Sequence, residues 1–133
     1  MHLQFKLNKP IEKVFESLSN ADNFVKAHPI IYAMKPLPNG AYLVYEKLNL
    51  ALMNIDFIYP CTIEYNRNDK TITMKAVVKK LVNIHISFKL STQNGQTIVD
   101  EFVSFKSILP AAFVMDKIFK TQHQNLFQNI ENS

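Results

Sequence analysis

Glycine, cysteine and arginine are scarce in this chain, and each scarcity removes a class of function. Gly40 and Gly95 are the only glycines, and no phosphate-binding loop, dinucleotide fingerprint or nucleophile elbow can be read anywhere. Cys61 is the only cysteine, which excludes an internal disulfide and fits a reducing compartment. Arg67 is the only arginine beside fourteen lysines. Recognition of base edges and phosphates favours the planar fork of arginine. The lysines are scattered, with Lys79 and Lys80 the only adjacent pair, so the net charge of +4 reads as a solvated surface and no nucleic-acid partner is expected. No apolar run approaches the ~18 to 20 residues of a membrane span, and the N-terminal MHLQFKLNKP lacks the apolar core of a signal peptide. A soluble, cytoplasmic protein without stable membrane insertion is the expectation.

What is present is a chain of 133 residues, 47% of them hydrophobic, enough for one domain with a real core spanning 1–133 but short for two. Residues 2 to 7, HLQFKL, alternate as a strand with Leu3, Phe5 and Leu7 on one side. The pattern then becomes helical. Pro10 suits a first turn, Ile11, Val14, Phe15 and Leu18 follow at helical spacing, and Asn20 can cap a second short helix carrying Ala21, Phe24 and Val25 before Pro29. From there to Lys106, turn signals at PNG (38–40), NRND (66–69) and NG (94–95) divide the chain into strands at about 30–37, 41–49, 54–65, 71–78, 82–92 and 96–106. Short connections imply antiparallel pairing. Pro60 inside a strand should mark an edge or a bulge.

The chain closes on SILPAAFVMDKIFKTQHQNLFQNI, residues 107–130, a helical pattern of about 20 residues and roughly 30 Å. Counting about 100° per residue from Pro110 gathers Ala112, Met115, Ile118, Phe119, Leu126 and Ile130 into one stripe, with Lys117, Lys120, Gln124 and Gln128 opposite. Gln122 falls in the middle of that stripe. An amide buried there without partners costs about 1 to 3 kcal/mol, so it must bond to protein, water or a ligand. Phe113 and Phe127 project off the stripe, open to packing on flanking loops, a homodimer contact or the lining of an entrance.

The order of strand, two short helices, six antiparallel strands and a long final helix resembles the helix-grip fold of the START-related superfamily, also called SRPBCC, with its polyketide cyclase-like and birch-pollen allergen-like branches. The resemblance rests on KPIEKVFESLSNADNFVKAHP, the central hairpins and LPAAFVMDKIFKTQHQNLFQNI, and covers nearly the whole chain. It implies an α+β fold in which a seven-stranded curved antiparallel sheet wraps around the C-terminal helix and leaves a cavity between them. The glycine-rich loop of the plant allergen branch is absent, so that branch's ligands do not carry over.

Taking the more apolar alternating set of each strand as its inner face gives Val82, Ile84, Ile86, Phe88 and Leu90 in one strand, which turns His85 outward. Another strand gives Ile55, Phe57, Tyr59, Cys61, Ile63 and Tyr65. Ile72, Met74, Ala76 and Val78 continue the surface, and Tyr32 and Met34 are read as inward. Tyr42, Val44, Glu46 and Leu48 are left open, as is the choice between Val99, Glu101, Val103 and Phe105 and the opposite set Asp100, Phe102 and Ser104. An inward Glu101 among apolar side chains could serve as an acid or base, or pair with a lysine at the sheet edge. Tyr32, Tyr59 and Gln122 could orient a carbonyl or hydroxyl, or find ordinary protein partners. Cys61 as a nucleophile lacks a base, because His85 faces away and no other histidine has a reason to be near. His2, His28, His85 and His123 show no ligand spacing, so neither metal nor cofactor is expected.

The candidate ligand-binding set is therefore Tyr32, Phe57, Tyr59, Ile84, Ile86, Phe88, Glu101, Val103, Met115, Phe119 and Gln122, with a small hydrophobic molecule, lipid, aromatic or polyketide-like, as partner. Two alternatives compete: a cyclase, dehydratase or hydrolase using Glu101 with a cavity tyrosine, and an interaction module with a filled core.

Overall fold

Period-two alternation and tight turns produce a meander. The computed structural model describes residues 1–50, 52–107 and 112–133, and of these the side chains of all but 50 and 112–115. The elements are β1 (His2–Leu7), α1 (Ile11–Ser19), α2 (Ala21–Ala27), β2 (Ile31–Pro36), β3 (Tyr42–Leu50), β4 (Met53–Asn66), β5 (Thr71–Val78), β6 (Val82–Gln93), β7 (Gln96–Ser107) and α3 (Ala112–Asn132). Among the described residues seven strands form one sheet in the order β1-β7-β6-β5-β4-β3-β2. Every neighbouring pair is antiparallel. This is the expected helix-grip architecture, a curved sheet closed by a C-terminal helix with two short helices after the first strand. Pro110 and Met115 lie outside the described residues and side chains, respectively, as does the side chain of Phe113.

Local chemistry fixes the ends of the elements. Asn20 terminates α1 and caps α2, its side-chain oxygen accepting from the Asn23 backbone N–H at 3.0 Å. Asn94 and Gly95, at φ 53° and 77°, supply the left-handed pair that a two-residue hairpin between β6 and β7 needs. Val14, Phe15 and Leu18 of α1 are fully buried, so the two short helices plug one end of the sheet.

Pro60 behaves as its missing N–H requires. β4 pairs with β3 along Met53–Cys61, whereas its pairing with β5 runs from Cys61 opposite Ala76 to Asn66 opposite Thr71. Beyond Cys61, Val77 and Val78 of β5 pair with β6. Pro60 thus stands where the two strands part, on an edge created inside the sheet.

Two expectations about facing are corrected. Tyr32, read as inward with Met34, is 55% exposed, while Ile31 and Met34 are buried. The register slips between Ile31 and Ala33, and this bulge inserts one residue into the alternation, turning Tyr32 outward against Tyr45. On α3 the buried face is His123, Leu126, Phe127 and Ile130, rotated by about one residue from the expected stripe. Phe127 belongs to the core rather than to a flank, stacked on Phe5 with ring centroids 4.4 Å apart. The centre of the stripe is a histidine and the amide lies at its edge.

Replacing Phe127 by alanine should therefore cost about 3 to 5 kcal/mol in urea denaturation, against a change within about 0.5 kcal/mol for the exposed Gln128→Ala. Equal small effects would mean that α3 presents another face to the sheet.

Candidate functional site

Alternation along the inner strands leads directly to a cavity of about 410 Å³ between the sheet and α3. Its walls come two residues apart: Val44, Glu46 and Leu48 from β3, then Phe57, Tyr59 and Cys61 from β4. Met74, Ala76 and Val78 of β5 and Val82, Ile84 and Ile86 of β6 continue it. Ile31 and Met34 flank one side, Phe24 and His28 close the end behind α2, and Ile118, Phe119, Gln122 and His123 of α3 form the roof.

Of the candidate set, Phe57, Tyr59, Ile84, Ile86, Phe119 and Gln122 meet on this cavity. Phe88, Glu101 and Val103 are buried outside its lining. They lie under the part of α3 where aromatic side chains fill the space: Phe88 is stacked on His123 at 6.2 Å between centroids, and Phe105 meets Phe119 at 5.4 Å. Tyr32, on the outer face, takes no part. Cys61 lines the cavity as a buried thiol pushed up by burial to about 11, far from the thiolate a nucleophile needs. His85 is exposed, as its register dictates.

The polar groups are few and specifically tied. Tyr59 donates its hydroxyl hydrogen to Glu46 Oε1 at 3.4 Å. Burial raises the Glu46 carboxyl to about 6, a rise that the tyrosine hydrogen bond opposes, and burial likewise lifts the Tyr59 phenol well above its ordinary range. His28 is a backbone clamp: its Nδ1 accepts from the Ile30 and Ile31 N–H groups at 3.2 and 3.1 Å. Burial first, and the neighbouring His123 second, lower it to about 3. His28 is neutral at ordinary pH, with its proton on Nε2.

Glu101 is inward and has no exposure. Its carboxylate Oε1 is in contact with His123 Nδ1 without a regular hydrogen bond at either atom, and Oε2 has no partner among the described residues. Glu101 thus reaches the cavity only through the imidazole in front of it. The sequence reading left Glu46 undecided and passed over both histidines. The signal for His123 was its position four residues from Phe119 and Phe127. His28 carried only the weak cue of following a capped helix and preceding Pro29.

With this geometry in view, the resemblance to solved structures is decisive for the architecture. The structure of Ara h 8.0201 superposes with a TM-score of 0.76 at 15% identity, over 99% of this chain and 94% of that one. The chain has the helix-grip fold. A conserved protein from Geobacillus kaustophilus has this fold at TM-score 0.75 and 13% identity, covering 98% and 91% of the two chains. The Zhui aromatase/cyclase from Streptomyces sp. R1128 matches at 0.71 and 9%, covering 99% and 90%. At such identity the likeness establishes the helix-grip fold alone. No protein-family model matches the sequence, and neither does any curated protein. Among the described residues no helix is long and apolar enough to cross a membrane.

Buried His28 and half-buried Glu46 should tilt stability in opposite directions. His28 is depressed from 6.5 to about 3, so the unfolded chain takes up its proton first, and the stability this group contributes is complete above about 6.5 and is lost as pH falls. Glu46 is raised from 4.5 to about 6, so its contribution is complete below about 4.5 and is lost as pH rises through 6. Between pH 7.5 and 5, Glu46→Gln should lose roughly 2 kcal/mol in urea denaturation. His28→Asn, which keeps an acceptor for the Ile30 and Ile31 N–H groups, should gain about 1 kcal/mol over the same range. Parallel pH profiles in the two variants would contradict these environments.

Proposed function

We propose that the protein binds a small, largely apolar molecule, a lipid, aromatic or polyketide-like compound, between the sheet and α3. The observation that carries this reading is the cavity itself: about 410 Å³, within the roughly 300 to 1,000 Å³ usual for ligand sites. Its walls are mainly Ile, Val, Met and Phe side chains, with Glu46, Tyr59, His28, Gln122 and His123 as a small polar minority. Burial of apolar ligand surface at about 25 cal/mol per Å² supplies the affinity, and the polar minority supplies orientation. An unfilled space of this size in a protein interior forgoes dispersion contacts on every wall, which a ligand restores.

A neutral fluorescent probe, N-phenyl-1-naphthylamine, tests the reading. Wild-type protein should bind it with enhanced emission and lose it to apolar compounds from lipid and aromatic extracts, which native mass spectrometry then identifies. The double substitution Ile84→Trp/Ile86→Trp fills the space from the β6 wall and should abolish probe binding, with far-ultraviolet circular dichroism unchanged. Undiminished binding in that folded variant, or none in the wild type, would overturn the assignment.

A further inference from the structure

Among the described residues the cavity wall holds one acid and no lysine or arginine. Glu46 stands between Val44 and Leu48 on the inner face of β3, and both of those side chains line the same space. Its partners in register are Ile31 of β2 and Phe57 of β4, so no cation meets it from either neighbouring strand. Lys47, the next residue along β3, pairs with Asp56 and is exposed on the opposite face.

Tyr59 is the diagonal neighbour of Glu46, because Val44 lies opposite Tyr59 and Glu46 opposite Phe57. Its hydroxyl hydrogen is spent on Glu46 Oε1. That bond uses the single hydrogen the pair can donate, since an ionised carboxylate only accepts and a phenol has one O–H. Glu46 Oε2 has no partner among the described residues, yet it is not sealed away as Glu101 Oε2 is. The pair therefore offers acceptors and no donor. Burial raises the Glu46 carboxyl only to about 6, which leaves it ionised at about pH 7.5.

Charge and the apolar wall then select among donors. A carboxylic acid arrives as a second anion and is repelled. An ammonium is attracted, but it carries three N–H groups out of water into an apolar wall, and the lost hydration is offset only where each of them finds an acceptor. A hydroxyl brings one hydrogen, which a single carboxylate oxygen satisfies in a charge-assisted bond.

We infer that Glu46, with Tyr59 holding its other oxygen, is the specificity-determining group of the cavity and accepts a hydrogen bond from the hydroxyl of a neutral, otherwise apolar ligand, a phenol or an alcohol. This rests on the cavity being a ligand site and specifies the ligand class. The hydroxyl end lies on the β3–β4 wall, and the apolar body extends over Met74, Ile84 and Ile86 of β5 and β6.

The test measures the affinities of three probes by calorimetry at about pH 7.5, where Glu46 is ionised: 2-naphthol, its methyl ether 2-methoxynaphthalene, and 2-naphthylmethylammonium. Wild-type protein should bind the naphthol about threefold or more tighter than the ether, because a bond to an ionised acceptor outweighs burial of the extra methyl group. The ammonium should bind more weakly than the naphthol. Glu46→Leu/Tyr59→Phe removes the acceptor and leaves no unpaired hydroxyl; it should reverse the order of naphthol and ether, a change of about tenfold or more in their ratio, while the ether still binds. Ether binding as tight as naphthol binding in the wild type, an unchanged ratio in the variant, or an ammonium that binds more tightly than the naphthol would overturn the hydroxyl recognition and leave the cavity as a binding site. Failure of all three probes to bind the wild type would overturn both.

Discussion

One helix cannot cover seven strands. An α-helix with its side chains is about 10 to 12 Å across, whereas seven strands at about 4.8 Å spacing span roughly 29 Å between the outer two. Curvature narrows this gap and the two short helices plug one end, but a strip of the inner face is left without a close partner. α3 spends its contact on the β1 side, where Phe5 and Phe127 stack and Phe88 and His123 lie face to face. The uncovered strip is what becomes the cavity over β3 to β6. The site is thus a consequence of the architecture, and the side chains decide only what the space will accept.

The same arithmetic explains where polar groups are tolerated. Under the filled side of α3, Glu101 is an expensive residue: an isolated buried carboxylate costs several kcal/mol, and a packed hydrophobic side chain would serve stability as well or better. It lies there in contact with His123, whose ring is packed among Phe88, Phe119 and Phe127 and also lines the cavity. Glu46 and Tyr59 form a corresponding pair on the opposite wall. Both acids, buried Glu101 and half-buried Glu46, thus lie beside a partner that also borders the cavity.

Much of this was legible in the chain. The turns at Asn94–Gly95 and Pro38–Gly40, the cap at Asn20 and the alternation of β4 to β6 are local features, and local features survive in sequence. What was lost depended on a single extra residue or on contacts far apart in the chain. The bulge between Ile31 and Ala33 reverses Tyr32 without changing its neighbours' composition. The rotation of α3 by one residue exchanges Gln122 for His123 at the centre of the buried face, because 3.6 residues per turn leaves the stripe's axis poorly defined when apolar side chains occur at 118, 119, 126, 127 and 130. The pairing of Glu101 with His123 joins β7 to α3, and no spacing rule encodes it.

Xenon tests the central claim most directly, because it enters apolar cavities without needing any polar recognition. In a crystal pressurised with xenon, the account requires a strong anomalous peak between Ile86 and the roof at Gln122, with the surrounding strands unmoved. Close packing of α3 onto β3 to β6 with no xenon peak there would contradict it.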